Sequence, residues 1–470
     1  MTEDQGQGLS RRLAEHVAGV RFEDLGAGAV DNAKRATLDT IGAMLAGTSV
    51  PAVGAVIELA AGWGGKAEAR VVGQDLRLPA PLAAWCNGVL ARVLEIDDCI
   101  DDQPVHPSAS AVPLLLALAE ARGGLPGRDF ITALALAQDL IIRLGRATRV
   151  NAMISGRYNL FKIFGPTAAA ARVLGLDVEQ TQHALGIAYA SVQGEGQSAL
   201  DGAFALPLQQ GNVAQAALVA ALLAERGSTG SEDFLFGRMG FFNAFEPDPI
   251  MAPLTEGLGE YFLGEELSVK PYSACRCCHP ALELVQRYRA EQGLGPKGLG
   301  PKGNEPIAGA TVTVNPGVHG LVGAHIEDMA DPYSTTAAQF SLPFNVAATL
   351  IRGDFFLEEL APEVIADSAI RALSKRIEVV AEDSMNTDTV LGRTRLEITA
   401  RGQAPVTLDA EFPLGNPANP LSFADCGDKL RKCAAFAARP PGGAAIDGLI
   451  ESVAELESAS DVSHLLAGLR

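Results

Sequence analysis

Apolar residues recur at helical spacing along most of the first 264 residues of the chain. Segments rich in alanine and leucine, such as Pro81–Val93, Val112–Ala121 and Phe130–Arg143, carry apolar side chains on more than one face. A helix of this kind buries most of its surface, so it lies inside a multi-helix domain and not in a simple two-layer bundle. The pattern therefore predicts a large helical domain at the start of the chain.

The pattern changes after Lys270, where apolar and polar residues begin to alternate. Alternation of this kind is typical of strands with one buried face. The predicted strands are residues 310–314, 377–380, 396–400 and 406–412. The predicted helices between them are residues 338–350 and 361–373. A duplicated Gly/Pro/Lys sequence at residues 293–303 predicts a surface loop.

These segments together predict a mainly α protein in three stretches. Residues 1–267 form the first part of a large all-helical domain, and residues 268–412 form a smaller α/β lid domain inserted before the C-terminal helices. Residues 413–470 return to the helical domain. The lid has an ordinary size for a domain.

The composition limits the cellular compartment and the classes of partner that we expect for this chain. The chain has 470 residues and a formal net charge of -19, which repels phosphate backbones and anionic lipid headgroups. We therefore expect neither nucleic acid nor a membrane as a partner. The polar N-terminus lacks the apolar core of a signal peptide, and the seven cysteines are irregularly spaced. These features favour the reducing cytoplasm.

The richest segment for chemistry directly follows an apolar helix. Its acidic residues, all within eight positions, are Glu95, Asp97, Asp98, Asp101 and Asp102. Acidic side chains at a helix C-terminus oppose the negative partial charge there, and such conflicts are typical of functional sites. His106 follows just before the next helix, a position that favours neutral imidazole and general-base chemistry. The alternative is an exposed acidic loop with a solvated histidine.

A second segment concentrates positive charge in this acidic protein. Lys270, Arg276 and His279 lie within ten residues and could bind a carboxylate, although a basic surface turn is the alternative. Three cysteines in the same segment superficially resemble a zinc site. Neighbouring cysteines cannot readily bind one ion with tetrahedral geometry, so we predict no metal.

A third segment, residues 157–167, leads into an alanine-rich helix. Gly165 could leave free backbone N–H groups at that helix start, a generic anion site, and a plain turn-to-helix junction is the alternative. The sequence contains no phosphate-binding loop, dinucleotide fingerprint, nucleophile elbow or H-E-x-x-H motif. We therefore predict no cofactor.

Taken together, these segments resemble the MmgE/PrpD family, which includes 2-methylcitrate dehydratase, cis-aconitate decarboxylase and iminodisuccinate epimerase. The resembling elements, in chain order, are residues 38–47, 95–108, 164–177, 211–227, 270–279 and 340–344. The resemblance implies a helical domain with an α/β lid, a site between them, and usually a homodimer. It implies proton abstraction next to a carboxylate, with loss of water, loss of CO₂ or inversion.

By position, the resemblance assigns His106 as the leading acid/base residue, with Glu95 or Asp98 orienting it. Members of the family commonly have Asp where this chain has Glu95. The residues expected to bind substrate are Asp97, Asn159, Lys162, Gln209, Lys270, Cys275, Arg276 and His279.

The sequence departs from the family pattern at several polar positions. Leu206 stands at a lysine position, Gln209 at a histidine position, and Ile100 where many members have a histidine. Asn159 is a candidate replacement for a further histidine. Positive charge could be restored by Arg157, Lys162 and Arg276.

We therefore predict a lyase or isomerase that abstracts a proton from a small carboxylic acid without a metal, leading to dehydration, decarboxylation or epimerisation. The altered positions suggest a substrate less acidic than citrate-type acids. The alternative is a non-catalytic small-ligand-binding protein on the same fold. The expected partners are a carboxylate substrate and a second copy of the chain.

Overall fold

The helical part of the molecule is the longer of two structural parts. A computed structural model of the chain describes residues 6, 8–103, 105–149, 155–294, 307–323, 332 and 334–469. The predicted Gly/Pro/Lys loop lies outside the described residues from residue 295 onwards. Within the described ranges, the helices of this part are α1 (Leu9–Gly19), α2 (Ala27–Gly47), α3 (Pro51–Trp63), α4 (Ala80–Arg92), α5 (Ser108–Arg122), α6 (Gly127–Ala147), α7 (Phe164–Val173), α8 (Val178–Tyr189), α9 (Gln197–Leu200), α10 (Ala205–Glu225), α11 (Phe241–Phe245) and α12 (Ala252–Thr255).

Several of these helices are buried on all sides, as their sequences predict. In α5 every residue from Ser108 to Ala119 is buried, and in α4 the same holds from Ala83 to Arg92. A short hairpin, β1 (Ala69–Arg70) with β2 (Arg77–Leu78), lies among the helices and was not predicted. Strands of two residues are too short to show an alternating pattern.

Helices α4 and α10 cross at a contact that requires glycine. A Cβ atom on Gly88 would lie 2.9 Å from the Cα atom of Gly211, and a Cβ atom on Gly211 would lie 2.5 Å from the carbonyl oxygen of Trp85. Larger side chains would therefore separate the two helices. The crossing holds the C-terminal end of α4 close to the N-terminal end of α10.

The sheet part contains a four-stranded sheet in the order β4-β3-β5-β6. The strands are β3 (Ile307–Val314), β4 (Ile377–Ala381), β5 (Thr394–Ala400) and β6 (Val406–Ala410). β3 pairs in parallel with β4 and antiparallel with β5, and β5 pairs antiparallel with β6. Ala310 lies opposite Ile377, and Val312 lies opposite Leu396. All four predicted strands are confirmed, with ends that differ by at most three residues.

The helices of the sheet part are shorter than predicted. They are α13 (His279–Glu291), α14 (Pro316–Val322), α15 (Thr335–Gln339), α16 (Leu342–Arg352), α17 (Pro362–Ile365) and α18 (Ser368–Ser374). Each of the two predicted helices is divided in two. The hydroxyl of Ser341 accepts a hydrogen bond from the backbone N–H of Phe344, and Asp367 caps α18 in the same way. These side-chain caps start a new helix where apolar periodicity alone predicts continuity.

The chain returns to the helical part with α19 (Phe423–Ala435) and α20 (Gly443–Ala454). On α19, Lys429 forms an ion pair with Asp39 of α2 and donates to the carbonyl oxygen of Ile96. The first and last stretches of the chain share one apolar core, while most of the sheet part has a second core. The fold is thus mainly helical with a small mixed sheet, whereas the boundaries at residues 267 and 412 stay a prediction.

Among the described residues, no single helix is long and apolar enough to cross a membrane. Helices α2 and α3 reach the necessary length and composition only as a pair, and they are bent by 94° at the break between them.

Candidate active site

A small cavity of about 50 Å³ lies where the helical part faces the sheet part. Arg92, Glu95, His106 and Tyr158 line it from the helical part, and Lys270 lines it from the segment before α13. The backbones of the two polar segments are joined directly, because Cys99 and Ser268 exchange hydrogen bonds of 3.0 and 2.7 Å. The two segments that the sequence singles out therefore meet at one cavity.

The acidic segment after α4 is buried. Glu95, Asp97, Asp98 and Asp101 are each at most 5% exposed, and His106 is 8% exposed. The alternative of an exposed acidic loop is therefore wrong for these residues. Glu95 has a φ of 55°, in the left-handed region that non-glycine residues seldom adopt, and such strain is held only by strong surrounding contacts.

Those contacts come from two buried cations. The Arg92 guanidinium pairs with one carboxylate oxygen of Glu95, and the Lys270 ammonium lies 2.8 Å from the other. Arg92 also lies 3.5 Å from Asp97. Burial opposes ionisation, but the neighbouring opposite charges outweigh it, so the pKa values of Glu95 and Asp97 are lowered and those of Arg92 and Lys270 are raised. All four groups are charged at neutral pH.

His106 is held by its Nδ1 atom. That nitrogen lies 2.9 Å from the backbone carbonyl oxygen of Asp98 and 3.1 Å from the carboxylate of Asp97. Both neighbours are acceptors, so Nδ1 carries the proton and Nε2 is the basic nitrogen. Burial, followed by the charge of Arg92, lowers the pKa of His106, and the imidazole is therefore neutral at pH 7. Within the described part of the chain, Nε2 has no hydrogen-bond partner. We call Arg92, Glu95, Asp97, His106 and Lys270 the His106 cluster.

The sequence leads us to expect that the side chain of Asp98 orients His106, but this side chain points towards Ser108 instead. Its carboxylate accepts hydrogen bonds from the backbone N–H and the hydroxyl of Ser108, at the start of α5. Burial raises the pKa of Asp98 to about 7. Only the backbone carbonyl of Asp98 contacts His106, and the side chain next to the imidazole is that of Asp97. Glu95 lies among the cations and makes no described contact with the imidazole.

Arg276 and His279 form a second buried group. Arg276 donates from Nε and Nη2 to both carboxylate oxygens of Asp101, at 2.8 and 2.9 Å, and from Nη1 to the carbonyl oxygen of Leu414 at 2.9 Å. His279 Nδ1 accepts from Arg276 at 3.2 Å, while its Nε2 donates to the carbonyl oxygen of Ala274 at 3.1 Å. Burial and the charge of Arg276 hold the pKa of His279 well below its usual range. We call Asp101, Arg276 and His279 the Arg276 cluster.

Cys275 and Cys277 also line the cavity. Contact with the Cys277 thiol lowers the pKa of Cys275, while the same contact and burial raise that of Cys277. All seven cysteines are free thiols. In the described ranges, no three His, Cys, Asp or Glu side chains are grouped as metal ligands would be.

The remaining expected residues lie behind the cavity wall. Lys162 donates to the Gln209 side chain at 3.2 Å, and its ammonium lies 5.5 Å from the ring centre of Tyr158. Burial, followed by the charge of Arg92, lowers the pKa of Lys162 to about 7. Asn159 has a φ of 51° and precedes the short 3-10 turn that carries Lys162. None of these three side chains lines the cavity, unlike Glu95, His106, Lys270, Cys275 and Arg276.

Sequence reasoning did not select Arg92 or Tyr158. A basic residue in the last turn of a helix is the common partner of the helix dipole, so Arg92 carries no unusual signal on its own. The informative signal is the proximity of Arg92 to five acidic residues, of which two become its partners. Burial raises the pKa of Tyr158 to about 12, so its phenol is protonated at neutral pH.

Comparison with known proteins matches both parts of the chain. The model of the MmgE/PrpD N-terminal domain matches residues 11–253, and that of the MmgE/PrpD C-terminal domain matches residues 272–447. The chain is 25% identical to a cis-aconitate decarboxylase-like protein, oryM, of Aspergillus oryzae, over 98% of this chain and 96% of that protein. It is also 25% identical to human cis-aconitate decarboxylase, over 98% of this chain and 94% of that protein. The cis-aconitate decarboxylase of Aspergillus terreus is 24% identical, over 87% of this chain and 86% of that protein. Because the two domain models cover most of the chain in the expected order, the protein belongs to the MmgE/PrpD family.

Proposed function

We propose that this protein is a lyase or isomerase that abstracts a proton next to the carboxylate of a small carboxylic acid, with His106 as the general base. The observation that carries the proposal is the imidazole of His106, which is fixed through Nδ1 in a cavity that Arg92 and Lys270 also line. The cis-aconitate decarboxylases among the relatives agree with a carboxylic acid substrate.

The two cations would bind the substrate carboxylate. Lys270 gives one of its three N–H donors to Glu95 in the described contacts, which leaves donors for a ligand. A carboxylate at this place would bring the neighbouring C–H group into the cavity next to His106. Charge-assisted hydrogen bonds from Arg92 and Lys270 would stabilise that carboxylate, although both cations also pair with Glu95 or Asp97.

Proton transfer would then use the free nitrogen of His106. Nε2 takes the proton, the C–H electron pair moves into the carboxylate, and the resulting enediolate is stabilised by Arg92 and Lys270. The carboxylate of Asp97 next to Nδ1 stabilises the imidazolium that forms. The same intermediate leads to an alkene if a β-hydroxyl takes the proton from His106 and leaves as water, or to an inverted centre if the carbanion receives a proton on its other face. Decarboxylation reverses the order: CO₂ leaves first, and the carbanion takes a proton from Nε2 of His106, which must enter this reaction as the imidazolium.

The other expected residues receive positioning roles in this proposal. Glu95 keeps Arg92 and Lys270 at the cavity, and Asp98 holds the start of α5, which follows His106. The Arg276 cluster fixes the lid-side segment against the acidic segment. The homodimer that the family resemblance implies stays a prediction that light scattering can test.

Proton NMR in D₂O tests the proposal. The protein is incubated with small di- and tricarboxylates, their amino derivatives and unsaturated monocarboxylic acids, and the α-proton and olefinic signals are followed. We expect solvent exchange or a new olefinic signal with at least one acid. The His106→Gln variant should lose about 10³-fold of that rate, since general bases contribute roughly 10²–10⁴-fold.

His464→Gln is the matched control, because it makes the same change at a side chain that is 79% exposed. It should retain the wild-type rate and stability. A folded wild-type protein that binds acids but leaves every proton signal unchanged would overturn the proposal in favour of the binding-only alternative. A fully active His106→Gln variant would remove the assigned base.

A further inference from the structure

The cavity has one charged wall and one apolar wall. The charged wall is made by Arg92, Glu95, His106 and Lys270 of the His106 cluster, with Asp97 behind them against Arg92 and His106. The apolar wall is made by Ile100 and Leu206 from the helical part and by Phe340 and Leu391 from the sheet part, all at most 8% exposed. A ligand in this cavity therefore meets two different chemical environments.

The charges of the polar wall are already balanced. Arg92 and Lys270 supply two positive charges, while Glu95 and Asp97 supply two negative charges. His106 is neutral because burial lowers its pKa. One additional carboxylate can share the unused N–H donors of the two cations. That first carboxylate already gives the wall a net negative charge, so a second one would add to this charge and would have no cation left to bind.

Neighbouring cations do not remove this limit. Arg276 lines the cavity, but it donates two hydrogen bonds to the Asp101 carboxylate, one to a backbone carbonyl and one to His279. Lys162 is absent from the lining residues, and its pKa of about 7 makes it only partly charged at neutral pH. Within the described residues, a second or third carboxylate would face the apolar wall without a cation, which is costly in a dry site.

The size of the cavity points in the same direction. About 50 Å³ provides room for a few water-sized groups. A short apolar chain fills such a space and removes its own surface from water, which favours binding.

We infer that the cavity takes a short monocarboxylic acid, whose carboxylate binds Arg92 and Lys270 and whose apolar remainder packs against Leu206 and Phe340. This inference rests on the proposed function only in taking the cavity as the substrate site. Leu206 is the specificity-determining residue, because it places an isobutyl group at the N-terminal end of α10, where a cation would provide for a second carboxylate.

Equilibrium binding of two matched acids tests the inference. Crotonate and fumarate share a trans-butenoate skeleton, and a methyl group in one replaces a carboxylate in the other. Isothermal titration calorimetry with wild-type protein should give at least tenfold tighter binding for crotonate than for fumarate, which is about 1.4 kcal/mol. cis-Aconitate, with three carboxylates, should bind more weakly than crotonate.

The Leu206→Lys variant should weaken or abolish this preference by raising the affinity for fumarate at least tenfold. Leu206→Gln is an uncharged control at the same position and should not raise that affinity. Leu223→Lys makes the charged substitution at a position on α10 that is 41% exposed and absent from the cavity lining, and it should leave the preference unchanged. The wild-type comparison remains decisive if Leu206→Lys fails to fold.

Equal or tighter binding of fumarate or cis-aconitate to the wild-type protein would overturn the inference, and so would undetectable binding of crotonate. The result is separable from the proposed function when the titrations are repeated with His106→Gln. A crotonate preference, with no proton exchange by the wild-type protein on any acid of the NMR panel, keeps the inference and removes the proposed chemistry. Proton exchange on a tightly bound tricarboxylate would keep the proposed chemistry and remove the inference.

Discussion

The His106 cluster and the Arg276 cluster both join the helical part to the sheet part, and both are buried. They differ in how many of their polar atoms have hydrogen-bond partners. In the Arg276 cluster the guanidinium makes four hydrogen bonds and both nitrogens of His279 have partners. In the His106 cluster, Nε2 of His106 and donors of Lys270 have no partner within the described residues, and both side chains line the cavity.

This difference separates a structural charge cluster from one that can do chemistry. A saturated buried cluster fixes two segments relative to each other, and removing a partner exposes the full desolvation cost of the group left behind. An unsaturated cluster keeps donors and a basic nitrogen for a ligand. Charged residues of the same kinds, close together in one sequence segment, therefore serve different purposes.

Among variants that keep His106, removing a cation from the His106 cluster should have the largest effect on the exchange rate. We expect Lys270→Met to lower the rate of proton exchange on the true substrate by about 10²–10³-fold, the usual loss when one stabilising donor is removed. Exchange is measured by NMR in D₂O at a saturating acid concentration. Lys66→Met, at a lysine whose side chain is 80% exposed, is the matched control. A Lys270→Met protein with a wild-type exchange rate would contradict the division between the two clusters.

Replacing Asp97, which lies next to the imidazole of His106, should have a smaller effect on the rate of proton exchange. The base must be neutral, so exchange is lost as the pH falls through the His106 pKa, which burial places below 6.5. The negative charge of Asp97 raises that pKa, and Asp97→Asn removes this contribution. The acidic limb of the pH–rate profile should therefore move to lower pH, and the maximal rate should fall about tenfold because the imidazolium loses its counter-ion. A limb that moves to higher pH would show that Asp97 does not act on His106.

A substitution in the Arg276 cluster should lower the stability of the protein more than its rate of proton exchange. Arg276→Lys replaces a two-point contact with Asp101 by a single donor and leaves buried groups without partners. We expect the free energy of unfolding to fall by about 1–3 kcal/mol, measured by urea denaturation, while exchange per folded molecule changes less than about threefold. A hundredfold loss of exchange at unchanged stability would place Arg276 with the reacting groups instead.

The fold could be predicted to a large extent because its signals are local. Helical periodicity identified α4, α5 and α6, and alternation identified all four strands of the larger sheet. The errors arose where a single polar side chain decides the outcome. Ser341 and Asp367 each cap a new helix, so two predicted helices became four.

Much of the candidate site was also visible in the sequence, since charged residues clustered in two segments stand out against an apolar background. His106, Glu95 and Lys270 indeed line one cavity. Asp98 and Gln209 were selected by position and Lys162 by its charge, and the side chains of all three lie elsewhere. Position in a motif cannot distinguish neighbouring residues whose side chains leave the backbone in different directions.

Local sequence patterns were enough to predict most of the helices and strands, the family and the two polar segments, because each of these depends on neighbours along the chain. Which charges pair depends instead on how the folded segments lie against one another. The left-handed backbone at Glu95 turns the acidic segment so that Asp97 meets His106 while Asp98 meets Ser108. The tertiary structure also revealed Arg92 as the central cation, because burial makes each charge depend on the partner that lies against it in space.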